Sequence, residues 1–337
     1  MNARSRLRRI AFTLVLICAI PLTSLHAQVK TKLRIATASP SLSYLPIYVA
    51  IKKDFFARRG FDVELIQMNA SLTAPALLNR AVDYTTIPSA IATAAARGAP
   101  AKVIFFASVK LQHMLLARPE IANVNELAGK RIAAAGFGNL TSYEIQFLIE
   151  HYHLGPRTTI VSASSSTDRL IALQTHLAEA AIVASPVDLK GEEMGLKRLL
   201  HMGTILQIPQ AGLAATDETI KNKRREALEV LKASIEGLDY TFSRREPPTE
   251  LIANWMALSP IQANKAYDSV KDTYSAFPLN SKLKLISPCS PLLPVLAPNC
   301  RPRSFSIFLL PVRQQRNLPR KNNSQATRGF LPDFKIR

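Results

Sequence analysis

The first hydrophobic stretch of the chain predicts a strand, a helix and a second strand. Residues 33–38 form an apolar run of strand length, and residues 39–45 form a polar loop. Pro46 then suits the first turn of a helix, because its missing N–H would have no partner there. Gly60 suits the end of that helical stretch, since glycine enters the left-handed region without a Cβ penalty. A second strand is expected at residues 62–66.

This β-α-β unit also predicts where a ligand binds. Its two strands run parallel in one sheet and are joined by a right-handed crossover. Ligands of open α/β sheets bind in the crevice beyond the carboxyl ends of the strands. The loop at residues 39–45 lies at such an end, so it is the first candidate binding loop.

The alternation of strands and helices continues to about residue 203. Further apolar runs predict strands at residues 82–87, 102–108, 113–117, 131–135, 159–162 and 180–184. Most of the segments between them have the apolar spacing of helices. The sequence TSYE at residues 141–144 predicts a capping box, in which Thr141 and Glu144 each satisfy a free backbone N–H at a helix start. From residue 204 to residue 280 the pattern predicts helices only.

Two segments of the chain repeat each other. The sequence ALxxRAVD begins at Ala76, and ALxxHLAE begins at Ala172. Each is followed by a serine, Ser89 or Ser185, 13 residues after its first alanine. The repetition predicts two similar α/β lobes whose loops face a shared crevice. Coincidence between two ordinary β-α-β units is the alternative.

The charge of the chain is concentrated at its two ends. The formal net charge of +19 is typical of proteins that bind nucleic acid or anionic membranes. Residues 1–27 contain four arginines and no acid, and residues 281–337 contain eleven basic residues and one acid. Without these ends, 28 basic and 23 acidic residues leave a net charge of +5, so we expect no nucleic-acid binding. Residues 28–280 contain no cysteine, which excludes a cysteine nucleophile, a disulfide framework and a cysteine zinc site there.

Both ends also differ from the middle in pattern. Residues 1–27 resemble a secretory signal peptide, because an arginine-rich start precedes an apolar run too short to span a bilayer. Cleavage is expected after Ala27; a lipoprotein acylated at Cys18 and an uncleaved membrane anchor are the alternatives, and all three imply export. Residues 281–337 mix Pro, Cys and Arg without periodicity, which predicts a disordered tail or a frameshift product.

Several motifs resemble those of one family. LPIYVA at residues 45–50 and FFARRG at residues 55–60 resemble its xPxYxA and FFxxxG, and LAGKRI at residues 127–132 resembles its LxGKxI. The repeated segments resemble its ALxxGxxD, with Arg80 and His176 where glycine is usual. In these features the chain resembles the periplasmic substrate-binding proteins of the nitrate, sulfonate, taurine and thiamine-precursor type, the SsuA/THI5-like or NMT1-like group.

The resemblance implies an α/β periplasmic-binding-protein fold of type II. Two lobes, each a mostly parallel sheet flanked by helices, would be joined by a hinge and would close on the ligand. Lobe 1 would comprise residues 28–110 and the helical return at residues 204–280, and lobe 2 would comprise residues 111–203. The resemblance further implies a periplasmic monomer that passes a small, anionic solute to an ABC permease, without cofactor or metal.

By position, the resemblance also implies a set of ligand-binding residues, most of which are small or polar. They are Ser39, Ser41, Tyr44, Asn69, Ser71, Thr73, Pro88, Ser89 and Ala90 on one wall and Gly136, Asn139, Leu140, Thr141, Ser185 and Pro186 on the other. Short polar residues ahead of helix N-termini suit an anionic group. Plain helix capping is the alternative reading of each. Because these loops contain no Lys or Arg, we expect neutral donors to dominate ligand capture.

Two other functions use the same fold. The fungal pyrimidine synthases of thiamine biosynthesis depend on a cysteine-rich motif, which residues 28–280 lack. The effector domain of a transcription factor would need an N-terminal helix-turn-helix, where this chain has the predicted signal peptide. The six histidines show no metal-site spacing, and His151 and His153, two residues apart, cannot face each other on a helix.

Overall fold

The computed structural model describes residues 30–274, except residues 39, 137, 207 and 244–247. The predicted signal peptide, the predicted tail and the candidate Ser39 therefore lie outside the described residues. The strands are β1 Thr31–Thr37, β2 Phe61–Gln67, β3 Tyr84–Thr85, β4 Ala101–Phe106, β5 His113–Ala117, β6 Arg131–Ala134, β7 Thr159–Ser162, β8 Ala180–Ala184, β9 Lys197–His201 and β10 Gly212–Thr216.

Helices flank these strands. They are α1 Leu45–Lys52, α2 Ala70–Leu78, α3 Pro88–Ala96, α4 Leu140–His151, α5 Ser166–Gln174, α6 Val187–Glu193, α7 Met202–Ile205, α8 Asp217–Asn222, α9 Arg224–Ser243, α10 Thr249–Met256 and α11 Pro260–Val270. Helix α1 starts at Leu45 with Pro46 in its first turn, as predicted. Gly60 closes the following 3-10 turn with a left-handed φ of 81°, also as predicted.

The ten described strands form two five-stranded sheets with matching orders. The first sheet runs β2-β1-β3-β10-β4 and the second runs β7-β6-β8-β5-β9. In each sheet one strand, β10 or β5, is antiparallel to both of its neighbours, and the other four share a direction. The repeated segments Ala76–Asp83 and Ala172–Glu179 precede the equivalent strands β3 and β8. The predicted α/β class, with two mostly parallel sheets flanked by helices, is confirmed.

The chain passes between the two sheets twice, through segments that lie side by side. Residues 107–112 lead from β4 to β5, and residues 206–211 lead back to β10. The Ala107 N–H donates to the Ala211 carbonyl over 2.8 Å, and the Ala211 N–H donates to Ser108 Oγ over 3.0 Å. This pairing provides two adjacent connections of the kind that the hinge prediction requires.

Two strands were not expected from the sequence. Strand β9, Lys197–His201, lies at the edge of the second sheet, and β10, Gly212–Thr216, is inserted between β3 and β4 of the first. The prediction of helices only beyond residue 203 is therefore wrong. The sequence of β10, GLAAT, contains glycine and alanine in place of β-branched residues, so its extended form depends on pairing with its neighbours.

Arg80 and His176 occupy equivalent left-handed turns after the repeated helices. Their φ angles are 60° and 59°. In each turn the carbonyl accepts a hydrogen bond from an arginine of an equivalent strand, β1 or β6. Arg34 Nη2 donates to Arg80 O over 3.0 Å, and Arg131 Nη2 donates to His176 O over 2.7 Å. The glycines usual in the related motif would relieve the Cβ penalty of this conformation.

We expect the variant Arg80→Gly to be more stable than Arg80→Ala by about 1 kcal/mol, because alanine keeps the left-handed Cβ penalty and glycine does not. The pair His176→Gly and His176→Ala should behave alike. Urea denaturation measures the difference. The matched control is Arg225, exposed and helical in α9, where glycine should be less stable than alanine by about 1 kcal/mol. Equal stabilities of the two Arg80 variants would contradict the turn geometry.

Candidate functional site

A cavity of about 920 Å³ lies between the two sheets. Its walls include residues that end or directly follow parallel strands: Ala38 after β1, Met68 after β2, Ala135 after β6 and Ala184 at the end of β8. These are the carboxyl ends, where ligands of open α/β sheets bind. The cavity is therefore the candidate binding site of the described chain.

Most of the predicted binding residues lie in the walls of this cavity. Those that do are Ser41, Tyr44, Asn69, Ser71, Ser89, Ala90, Asn139, Leu140 and Thr141. Five others do not line it: Thr73, Pro88, Gly136, Ser185 and Pro186. Thr73 Oγ1 donates instead to the Ala70 carbonyl of its own helix over 2.8 Å. The Ser185 carbonyl accepts from the Leu42 N–H over 3.1 Å, which joins the two parts of the protein beside the cavity.

The polar residues of the first wall also serve as caps of short helices. Ser41 Oγ accepts from the Ser43 N–H over 3.2 Å, and Asn69 Oδ1 accepts from the Ser71 N–H over 3.1 Å. Burial raises the pKa of the Tyr44 phenol above its ordinary value. The capping function and the position in the cavity wall therefore coexist in these residues.

The predicted capping box at residues 141–144 is wrong. Helix α4 begins at Leu140, and its N-cap is Asn139. Thr141 Oγ1 accepts from the Ala135 N–H over 2.9 Å, and the fully buried Glu144 is bound by His113. The Thr141 and Glu144 side chains bind residues of the second sheet instead of capping their own helix.

A hydrogen-bond chain links the crossover segments to the second wall. The Gln112 N–H donates to Gln210 Oε1 over 2.5 Å, so the amide nitrogen of Gln210 faces His113 Nε2 at 2.8 Å and donates to it. His113 Nδ1 then carries the proton and donates to Glu144 Oε1 over 2.6 Å. This chain of hydrogen bonds holds the His113 ring at both nitrogens and places an ordered polar network at the cavity wall.

Arg169 was not among the predicted site residues. It lies on α5 in the cavity wall and is only 5% exposed. Its Nη2 donates to Ser166 Oγ over 2.9 Å, its Nη1 lies 3.5 Å from Thr141 Oγ1, and its Nε has no partner. Burial lowers the pKa of Arg169 to about 10, which still leaves the guanidinium charged at neutral pH.

The charged side chains in the cavity wall are all cationic. Arg169 lies inside, and Arg97 is exposed at the end of α3. Among the described lining residues there is no Asp or Glu. The expectation that neutral donors dominate ligand capture stays a prediction; it considered only the loops, and helices bring cationic side chains to the cavity as well. The wall is suited to an anionic group.

Neither a metal site nor a membrane span is present among the described residues. No group of three His, Cys, Asp or Glu side chains within residues 30–274 could hold a metal ion. None of the helices described in that range combines the length and the apolar character needed to cross a membrane.

Solved structures share this fold. The periplasmic aliphatic sulphonate binding protein SsuA of Escherichia coli superposes with a TM-score of 0.59 at 17% identity, over 71% of this chain and 83% of that one. The periplasmic nitrate-binding protein NrtA of Synechocystis PCC 6803 gives 0.60 at 15% identity, over 69% of both chains. The ligand-binding component of an ABC-type import system from Staphylococcus aureus, with zinc bound, gives 0.61 at 13% identity, over 71% and 84%.

Comparison of the sequence with family models identifies a family. No curated protein matches the chain. The family model described as NMT1/THI5 like matches residues 41–247, more than half of the 337 residues. That match includes both walls of the cavity and both crossover segments. The chain therefore belongs to the NMT1/THI5-like family.

Proposed function

We propose that this protein is the solute-binding component of an ABC importer and that it captures a small anionic solute between two lobes. The observation that carries the proposal is the cavity of about 920 Å³ at the carboxyl ends of the strands of both sheets. Among the described residues that line it, the charged side chains are arginines, and none is Asp or Glu. Cavities of this size suit organic ligands. The solved structures of similar fold include proteins named for sulphonate binding, nitrate binding and ABC-type import.

The proposal includes the partners and the location expected from the sequence. The protein would work as a monomer in the periplasm, after export by the signal at residues 1–27, and would deliver its solute to the membrane subunits of an ABC permease. Lobe 1 at residues 28–110 and 204–280 would close on lobe 2 at residues 111–203. The paired crossovers beside the cavity support such a hinge, because a few residues there could absorb the motion.

Binding is proposed here in preference to catalysis. The family name also refers to an enzyme class, the pyrimidine synthases considered above, and that activity is the alternative function. The described cavity wall offers no cysteine, and both ring nitrogens of its histidine, His113, are already bound by Gln210 and Glu144. These features support a site that holds a solute without transforming it.

A thermal-shift screen of the mature protein tests the proposed function. The compounds are sulfonates, nitrate, pyrimidines and aromatic carboxylates. A ligand that binds only the folded state raises the melting temperature, and the rise grows with the logarithm of its concentration relative to Kd. We expect anions from this panel to raise it. A protein that no compound stabilises, or one that converts a pyrimidine precursor into product, would contradict the proposal.

Removing one hydroxyl from each wall should weaken binding of the best compound of that screen. Ser41→Ala and Thr141→Ala are each expected to raise Kd about tenfold, the effect of losing about 1.4 kcal/mol. Thr141→Ala should also lower stability by about 1 kcal/mol, because the Ala135 N–H loses its acceptor. Isothermal titration calorimetry measures both variants.

The control for these variants is Thr175→Ala. Thr175 is exposed at the end of α5 and does not line the cavity, and its Oγ1 donates to the Ile171 carbonyl. Its removal should leave Kd unchanged. Wild-type affinity in both Ser41→Ala and Thr141→Ala would mean that the solute binds elsewhere, even though the family assignment stands.

A further inference from the structure

Arg169 has hydrogen-bonding capacity that the described protein does not use. A guanidinium carries five N–H donors, and Arg169 directs two of them to the neutral hydroxyls of Ser166 and Thr141. Its Nε has no partner, and no described Asp or Glu oxygen lies within 4.0 Å of it. A buried charge that lacks acceptors is unfavourable. An acceptor that enters the cavity would remove this penalty.

The guanidinium is also held in a fixed position. Thr141 Oγ1 accepts from the Ala135 N–H over 2.9 Å, and Ser166 Oγ accepts from the Ala184 N–H over 3.1 Å. Those two amides lie at the carboxyl ends of β6 and β8, which are neighbours in the second sheet. The sheet therefore orients both hydroxyls, and the hydroxyls orient Arg169 before any ligand arrives. Such preorganisation reduces the entropy lost on binding.

Glu144 lies behind Arg169 and limits its positive potential. The carboxylate is fully buried, does not line the cavity, and leaves Oε2 without a partner while His113 binds Oε1. Its charge favours the protonated form of Arg169. The Glu144 carboxylate therefore offsets part of the positive charge of Arg169. A second negative charge placed beside Arg169 would meet repulsion from Glu144.

We propose that Arg169 is the residue that binds the charged end of the solute and that Glu144 tunes the cavity to singly charged oxyanions, either carboxylate or sulfonate. This inference rests on the proposed function, because it concerns the same cavity. The uncharged part of the solute would lie toward the first wall, where Met68, Ala74 and Leu78 provide apolar surface. Dianions such as phosphate monoesters would be discriminated against.

Three butyl compounds with different charges test the inference on the intact wild-type protein. The probes are 1-butanesulfonate, n-butyl phosphate and 1-butanol, titrated calorimetrically at about pH 8, above the second phosphate pKa of about 6. We expect butanesulfonate to bind at least about tenfold more tightly than either of the others, equivalent to about 1.4 kcal/mol. Tighter binding of the phosphate or of the alcohol would overturn the inference.

Variants separate the two residues. Arg169→Met should weaken butanesulfonate binding about a hundredfold, as expected for lost hydrogen bonds between charged groups. Arg169→Lys, which keeps the charge but not the fork of donors, should lose less. Glu144→Gln should raise the affinity for butyl phosphate about tenfold relative to butanesulfonate. An unchanged ratio in Glu144→Gln would refute the tuning by Glu144.

A double variant distinguishes loss of binding from loss of stability. Arg169→Met leaves the buried Glu144 without its nearby cation, so the single variant is expected to melt at a lower temperature. Arg169→Met/Glu144→Gln removes both charges and should regain stability without regaining butanesulfonate affinity. Restored affinity in the double variant would show that Arg169 only balances Glu144, and this would refute its binding role.

The two proposals fail in different ways. If neutral pyrimidines stabilise the wild-type protein and every anion fails, solute binding stands and the role of Arg169 is wrong. If no compound of the screen and none of the butyl probes binds, the proposed function itself fails, and the inference fails with it.

Discussion

Replacing Gly237 with valine is expected to lower the free energy of unfolding by about 3 kcal/mol, the upper end of typical overpacking penalties. Helix α9 crosses α1 at this glycine. A Cβ at position 237 would overlap the Pro46 carbonyl oxygen and would lie 2.7 Å from Ala50 Cβ. Backbone atoms of a packed helix cannot move aside as a flexible side chain can, so the two helices must separate. Urea denaturation of Gly237→Val measures the effect.

The matched control is Arg225→Val, the same β-branched residue on the exposed side of α9. Away from buried contacts such a change is expected to alter stability by about 0.5 kcal/mol. The control shows what a valine costs in the same helix without this contact; helix propensity alone would make the replacement of glycine the more favourable of the two. If Gly237→Val were as stable as Arg225→Val, the close crossing of α9 and α1 would be refuted.

The paired architecture could be predicted because it depends on local repeats. The segments that begin at Ala76 and Ala172 carry the same apolar spacing and end in the same left-handed turn. Each segment alone specifies a helix, a turn and the following strand. The repetition accounts for the equivalent positions of β3 and β8 in the two sheets, and it is consistent with a cavity between the carboxyl ends of the two sets of strands.

Strand β10 could not be predicted because its conformation depends on distant partners. Ala214 pairs with Thr85 of β3 on one side and with Val103 of β4 on the other, more than a hundred residues away in the chain. A short run of small apolar residues has no periodicity that distinguishes it from a loop or a helix start. Only the gap between β3 and β4 in the completed sheet determines its structure.

The charged part of the site escaped prediction for a similar reason. Arg169 follows the real N-cap of α5, Ser165, whose capping box with Asp168 gives an ordinary helix-start pattern. Its proximity to Thr141, 28 residues earlier, arises only when β6 and β8 pair. At residues 141–144 the local sequence has the capping-box pattern, but Glu144 binds His113 instead of the helix start. In both cases the partner is distant in the chain, so the local sequence does not indicate it.

Replacing Arg198 with methionine is expected to lower the free energy of unfolding at neutral pH by about 3 kcal/mol, the lower end of the penalty for leaving a buried carboxylate without its cation, because Arg198 itself is partly exposed. Asp188 on α6 is fully buried, and Arg198 Nη2 on β9 lies 2.8 Å from its Oδ2. Burial raises the pKa of Asp188, and Arg198 opposes that rise. Methionine fills similar space but leaves the carboxylate without its cation.

The pH dependence of this loss identifies its cause. Without Arg198 the folded-state pKa of Asp188 should rise further above the unfolded value, so the folded variant binds a proton more readily than the unfolded chain. The penalty is then fully present above the raised folded pKa and shrinks as pH falls toward the ordinary carboxyl value of about 4. Denaturation of wild type and Arg198→Met across this range should show converging stabilities in acid.

Two further variants make this result specific to the buried carboxylate. Asp188→Asn/Arg198→Met removes both charges, so it should recover much of the lost stability. The difference in stability between this double variant and wild type should not shrink as pH falls. Lys271→Met breaks the exposed pair with Asp268, which should change stability by less than about 1 kcal/mol because solvent screens that pair. A loss in Arg198→Met that is independent of pH, or no larger than that in Lys271→Met, would contradict this prediction. It would mean that Asp188 is solvated in the folded protein and that α6 does not pack against the second sheet.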